Sequence, residues 1–205
     1  MTDDAITRRA AMTIGAAAMV AAGSDSVRAA RLAATTPSLT GYIGDYYAFD
    51  RPQILPPIVF EDVTGNRRNL SDMVGRIVLL NFWATWCAPC LAEMPALDRL
   101  QTQFADSSFA VLAVCTDARS VQAVSDFLAS HGLRNLGVYL DPTGQDLHNC
   151  AISAVPTSFI IDRAGHARGI LPGAAPWDSQ AGHALINYYL TEAPVNTPAR
   201  NWWQR

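Results

Sequence analysis

Cys87 and Cys90 are separated only by Ala88 and Pro89. A bond across that spacing closes a ring too small to staple distant elements, so the pair is suited to opening and reclosing in thiol–disulfide exchange. The attacking species in that chemistry is the thiolate, which an ordinary cysteine, with a pKa near ~8.5, supplies sparingly at neutral pH. The flanking residues favour it. An apolar run, Ile77–Leu80 followed by Phe82, ends just before Cys87; Leu91, Met94, Leu97, Leu100 and Phe104 then recur three or four apart. The first pattern suits a strand covered on both faces, and the second is one stripe of a helix. Cys87 thus falls at a helix start, among unpaired N–H groups and the positive end of the dipole. Pro89 sits in the first turn, where its missing N–H costs nothing. Cys90, one turn deeper, is expected to be shielded, as a resolving thiol should be.

The same spacing is half of a zinc site, which needs a second close pair of ligands. Cys115 and Cys150 stand alone, and His131, His148, His166 and His183 show no such pairing. No metal and no cofactor is therefore expected. Glu93 lies three residues past Cys90, one helical turn along. A carboxylate there can take the proton of a shielded thiol that must become a nucleophile, and burial would raise its pKa toward the working range. A solvated surface glutamate is the plainer reading; Met94 and Leu97 beside it on the apolar stripe favour burial. Val155-Pro156-Thr157 leads into an apolar run, and the residues alone leave Pro156 open as a strand-entry proline or a cis peptide.

Further elements follow from periodicity. Ile58–Glu61 reads as a short strand, with Thr64-Gly65-Asn66 supplying a hairpin turn. Phe109–Cys115 is a second buried strand, and Val121, Val124, Phe127 and Leu128 mark a helix ending near Gly132. Leu136–Leu140 reads as a strand, residues 145–151 as a short helix, and Thr157–Ile161 with Ala167–Leu171 as a hairpin. Ala181, Ala184, Leu185 and Tyr188 form the apolar face of a closing helix. Pro95 inside the helix after Cys90 should kink it. The order implies an α/β fold: a central mixed β-sheet flanked by helices on both faces, with a small β-hairpin in front.

Around this core, Arg8 and Arg9 precede an uncharged run over residues 10–23, shorter than the roughly 20 residues that cross a bilayer. It has the form of an export signal, with Val27-Arg28-Ala29 a passable cleavage site. No transmembrane span is expected in the mature chain. Residues 31–57, with Tyr42, Tyr46, Tyr47 and Phe49 among prolines, read as an extended lead-in, and 191–205 as a tail whose Trp202 and Trp203 fold back on the domain. With 18 acidic and 15 basic residues the net charge is −3, which offers no basic field for nucleic acid or for anionic membranes.

The stretch Asn81-Phe82-Trp83-Ala84-Thr85-Trp86-Cys87-Ala88-Pro89-Cys90 resembles the active-site signature of the thioredoxin superfamily. Residues 75–82, Glu93-Met94-Pro95-Ala96-Leu97, Val155-Pro156-Thr157-Ser158-Phe159-Ile160-Ile161-Asp162 and Gly173 through Trp177 narrow the resemblance to the TlpA/ResA-like exported thiol–disulfide oxidoreductases. The resemblance covers about residues 56–190 and implies a thioredoxin-like domain, bounded here as 58–190; it says little about the leader, which the residues themselves mark as an export signal over 1–30. It implies Cys87 as exposed nucleophile, Cys90 as resolving thiol, Glu93 working near the pair, and Pro156 as a cis-proline. Trp86, Val155 and Pro156 are then the positions that meet a client protein. It also implies a periplasmic protein-disulfide reductase whose clients carry cysteine pairs, for example in cytochrome c or copper-oxidase assembly, with a membrane thiol reductase as electron donor. Cytoplasmic-type thioredoxins carry an aspartate where this chain has Asn81, which moves any acid–base role onto Glu93. A copper-binding oxidase assembly factor on the same fold is the alternative, with His148 and His166 as its histidine candidates. A thiol peroxidase would want threonine at Ala84. Cys115 and Cys150 read as two buried thiols, with a second disulfide between them left open.

Overall fold

The computed structural model describes residues 43, 46–105, 108–117, 119–193 and 197–204. The export signal expected over 1–30 and Tyr42 lie outside the described residues. The strands are β1 (Tyr47–Ile54), β2 (Val59–Glu61), β3 (Arg67–Asn69), β4 (Ile77–Trp83), β5 (Phe109–Cys115), β6 (Tyr139–Leu140), β7 (Thr157–Ile161), β8 (Ala167–Pro172) and β9 (Arg200–Asn201). The helices are α1 (Ala88–Gln103), α2 (Val121–Ser130), α3 (Gln145–Asn149) and α4 (Gln180–Thr191). All nine strands join one mixed sheet in the order β3-β2-β6-β5-β4-β7-β8-β1-β9. β4 pairs parallel with β5 and antiparallel with β7.

Every residue of β4 and β5 is buried, as continuous apolar runs require. Side chains alternate along a strand, so the runs feed two cores. Ile77, Leu79, Trp83, Val111, Ala113 and Cys115 point to one face, where Met94, Leu97 and Leu100 of α1, Val124 and Leu128 of α2, and Leu185, Ile186 and Tyr189 of α4 meet them. Val78, Leu80, Phe82, Leu112 and Val114 point to the other, covered by Leu55, Ile58, Leu70, Cys150 and Trp202, with Leu147 of α3 packed against them. Helices do cover both faces of a mixed sheet. In front, β2 and β3 pair antiparallel around Gly65, whose φ of +77° suits a residue without Cβ. Asp62 ties that turn by accepting from the backbone N–H groups of Thr64 and Asn66.

Three local expectations need revision. The strand read over 136–140 is only Tyr139–Leu140. Upstream, Asp98 of α1 accepts from the N–H groups of Asn135 (2.8 Å) and Leu136 (3.2 Å) and from the Asn135 amide, so those donors serve a side chain instead of a neighbouring strand. The aromatic lead-in contains a strand, β1, which pairs with β8 across a register shift. Its sequence, with Pro52 and little alternation, lacks a clear period-two signal. At the tail, Trp202 is buried and donates its indole N–H to the Cys150 carbonyl, while Trp203 is exposed. Only one of the two tryptophans folds back.

Candidate active site

β4 ends at Trp83, and its carbonyl accepts from both the N–H and the hydroxyl of Thr116, just past β5. The chain then turns through Ala84-Thr85-Trp86. Buried Asp117 holds that turn: its Oδ2 accepts from Thr85 N–H at 3.2 Å and Thr85 Oγ1 at 2.5 Å, and pairs with Arg119 at 3.1 Å. Cys87 N–H donates to the Ala84 carbonyl, and Cys87 becomes the N-cap of α1, its Sγ accepting from Cys90 N–H at 3.2 Å. A sulfur at a helix N-cap faces donors left without intrahelical partners and the positive end of the dipole. Pro89 sits in the first turn, where no N–H is needed.

Cys87 and Cys90 form a disulfide with Cα atoms 5.3 Å apart. Cys87 retains 4 % exposure and Cys90 none. The attacking sulfur expected to be exposed is thus nearly covered in the oxidised state, because the segment before β7 lies over it, with the Val155 carbonyl oxygen 3.5 Å from Cys87 Sγ. The accessible apolar group beside the pair is Trp86, 75 % exposed. The Val155–Pro156 bond is cis, and the Pro156 carbonyl accepts from Gly173 N–H at 2.8 Å.

Glu93 lies on α1 one turn beyond Cys90 and is 3 % exposed. Asn81 of β4 donates its Nδ2–H to Glu93 Oε1 at 2.8 Å and to Ser158 Oγ of β7 at 2.9 Å; Ala175 N–H donates to Glu93 Oε2 at 2.9 Å. Burial pushes this carboxyl up to about 7, against the pull of the Ala175 and Asn81 donors and of the Trp177 indole. That indole N–H stands outside hydrogen-bond geometry among the described residues. Glu93 is therefore a buried carboxyl able to gain or lose a proton near neutral pH, one helical turn from the shielded thiol.

Sequence reasoning placed Cys87, Cys90, Glu93, Trp86, Val155 and Pro156, and the fold brings them to one end of the sheet. It missed Asp117, although Thr116-Asp117 directly follows an apolar strand parallel to the one that leads into Cys87. It also missed Ala175, which acts through its backbone and carries no side-chain signal. Cys115 and Cys150 are buried in different cores on opposite faces of the sheet, so no bridge joins them; burial pushes the Cys115 thiol up to about 12. Ala84, where a peroxidase would want a hydroxyl, is fully buried. Among the described residues no group of three or more His, Cys, Asp or Glu side chains could hold a metal ion.

The model of the AhpC/TSA family matches residues 52–170, more than half of the sequence and all of this site but Gly173, Ala175 and Trp177. The chain belongs to the AhpC/TSA family. Within it, the chain is 36% identical over 118 residues to the thiol–disulfide oxidoreductase ResA of Bacillus subtilis, covering 58% of this chain and 65% of that protein. To ResA of Bacillus anthracis it is 31% identical over 125 residues, covering 61% and 71%. The alignment thus spans just under two thirds of the first relative and somewhat more of the second. A Chlorobium tepidum structure described as a thiol:disulfide interchange protein DsbE superposes with a TM-score of 0.61 at 34% identity, covering 70% of this chain and 99% of that one. The Cys87–Cys90 domain is of the ResA/DsbE thiol–disulfide oxidoreductase type. Its AhpC/TSA fold is a thioredoxin-like mixed sheet, as the resemblance implied.

Proposed function

We propose that this AhpC/TSA protein is exported and reduces disulfides in client proteins, with Cys87 attacking, Cys90 resolving and Glu93 as the acid–base partner of Cys90. The observation that carries the reading is the buried Glu93 carboxyl, poised near neutrality one turn from the fully buried Cys90. In the reduced protein the Cys87 thiolate attacks one sulfur of a client disulfide, and the other client sulfur leaves as thiolate. Cys90 then passes its proton to the Glu93 carboxylate and attacks Cys87 Sγ. The second client thiolate leaves, the Cys87–Cys90 disulfide forms, and two electrons have passed to the client. Glu93 releases its proton through the opened site, and a thiol donor on the membrane restores the dithiol.

Trp86, exposed beside the pair, and the Val155–Pro156 segment over Cys87 form the surface a client would meet. An extended peptide pairing with the Val155 backbone would bring its disulfide to Cys87. The export signal at residues 1–30 would place this chemistry in the periplasm, where cysteine pairs of cytochrome c or copper-oxidase assembly proteins are the expected clients. Strong oxidants of this fold carry positive charge between the cysteines, whereas Ala88-Pro89 carries none. Glu93, when ionised, opposes a thiolate nearby. Both features favour the disulfide form and hence reduction of clients.

The test is trapping. Cys90→Ser protein should accumulate mixed disulfides with its clients through Cys87, because nothing remains to release them. Equilibration of the native protein with a glutathione buffer should give a potential nearer ~−270 mV than ~−120 mV. A potential at the upper value would make the protein an oxidant, and trapping through Cys90 in a Cys87→Ser variant would reverse the two roles.

A further inference from the structure

Glu93 is held by two donors of different kinds. Oε2 accepts from Ala175 N–H, a backbone group that can only donate. Oε1 accepts from Asn81 Nδ2–H, one end of an amide whose other end is an acceptor. Asn81 is itself fully buried on the central strand β4, and its Oδ1 has no hydrogen-bond partner among the described residues. Its Nδ2 also donates to Ser158 Oγ, a hydroxyl that can turn to donate instead. A buried, unpartnered amide oxygen is costly. Here it belongs to a side chain that could satisfy the same carboxyl in either protonation state.

We infer that Asn81 is a positioning residue that reverses its amide when Glu93 gains a proton. This rests on the reading of Glu93 as the acid–base partner of Cys90. The backbone N–H at Oε2 cannot become an acceptor, so the proton goes to Oε1. There, the present arrangement would set Oε1–H against Nδ2–H, two donors face to face. A half-turn about the Asn81 Cβ–Cγ bond brings Oδ1 to that position. Oδ1 then accepts from Glu93 Oε1–H and, after rotation of its hydroxyl, from Ser158. Nδ2 moves to where Oδ1 stands now, so the number of unpartnered atoms is unchanged while the clash at the carboxyl is removed. Aspartate at position 81 would bring a second titrating carboxyl, and leucine would offer no donor; the amide serves both states without taking a proton.

The groups around Glu93 leave no competing titration. α1 contributes the two cysteines, which do not titrate in the disulfide. β4 contributes Asn81, β7 Ser158, and the segment after β8 the Ala175 N–H and the Trp177 indole; among the described residues no charged side chain shifts the Glu93 carboxyl. In the oxidised protein Glu93 is therefore the group whose protonation drives the amide.

The experiment follows the Glu93 carboxyl carbon and the Asn81 side-chain NH₂ by NMR in the oxidised full chain, from pH 5 to 9. The Asn81 amide should change with the same midpoint as Glu93, about 7. In Glu93→Gln it should be constant, at the low-pH position of the native protein, because glutamine offers Nε2–H where the acid offers Oε1–H. Asn81→Leu should move the Glu93 midpoint up by less than about one pH unit, because the charge-assisted bond to the anion that is lost is stronger than the bond to the acid lost with it. If Glu93 titrates and the Asn81 amide does not respond, the switch is overturned and the acid–base reading stands. If Glu93 does not titrate in this range, that reading fails and the switch fails with it.

Discussion

Two buried carboxyls of this protein are pushed to the same place, about 7, in different regions of the fold. Glu93 reaches it through burial alone, and the neighbouring donors oppose the shift. Asp146, in α3, reaches it through burial reinforced by the negative charge of Asp141. Their surroundings differ more than their proton affinities. Asp146 Oδ2 accepts from Val59 N–H at 2.9 Å, and its own N–H donates to Asp141 Oδ2 at 2.9 Å, so the pair ties the β6–α3 turn to β2. Cys150 follows one turn later, its N–H donating to the Asp146 carbonyl at 3.0 Å, and it is no part of the Cys87–Cys90 disulfide. Glu93 stands on the same helix as a redox pair and one turn below it. A shifted carboxyl marks strain between burial and charge; it becomes a candidate for chemistry where something nearby has a proton to exchange.

The contrast breaks if the two residues respond alike to substitution. The largest expected effect is on turnover: Glu93→Gln should slow reduction of a model disulfide at neutral pH by about 100-fold and remove the inflection near pH 7 from the rate profile. Asp146→Asn should leave both the rate and its profile unchanged. Equal slowing by the two would show that the turn at Asp146 also serves the chemistry.

Stability should, in contrast, respond with the same sign at both sites. Each carboxyl binds its proton more tightly in the folded chain than in the unfolded one. Ionisation of these two groups therefore opposes folding: their contribution to stability is full below about pH 4 and is lost as pH rises from there through about 7. Glu93→Gln and Asp146→Asn should each flatten that decline, leaving the variant more stable at pH 8 by on the order of 1 kcal/mol. Urea titrations at pH 4 and pH 8 measure it; a variant that is less stable at pH 8 would show that its lost hydrogen bonds outweigh the relieved charge.

The smallest effect separates the causes. Asp141→Asn removes a neighbouring charge, so the Asp146 midpoint should fall by less than about one pH unit. The Glu93 midpoint should not move, since no charge contributes to it. Carbon-13 titration of both carboxyls reads the two together, and a shift at Glu93 would show coupling across the sheet.

The redox pair, its place at a helix start, the two buried strands and Glu93 were legible in the chain because each rests on a local pattern: two residues between sulfurs, an unbroken apolar run in the buried strands, three to four residues in helices. Spacing is a local property, and it carries through folding wherever the tertiary environment agrees with it. What the tertiary structure alone decided is who meets whom. Asn81 read as a residue unable to exchange protons; only the pairing of β4 with β7 and the packing of α1 set its amide between Glu93 and Ser158. Ala175 has no side-chain chemistry, and its contribution is a backbone N–H aimed by the loop after β8. Strand β1 was hidden by Pro52 and weak alternation, since its pairing is set by the edge that β8 offers. Asp98 drew two backbone donors away from a strand that periodicity had extended to Leu136. In each case the deciding partner lies far away in sequence, and a pattern read along the chain holds no record of a contact made across it.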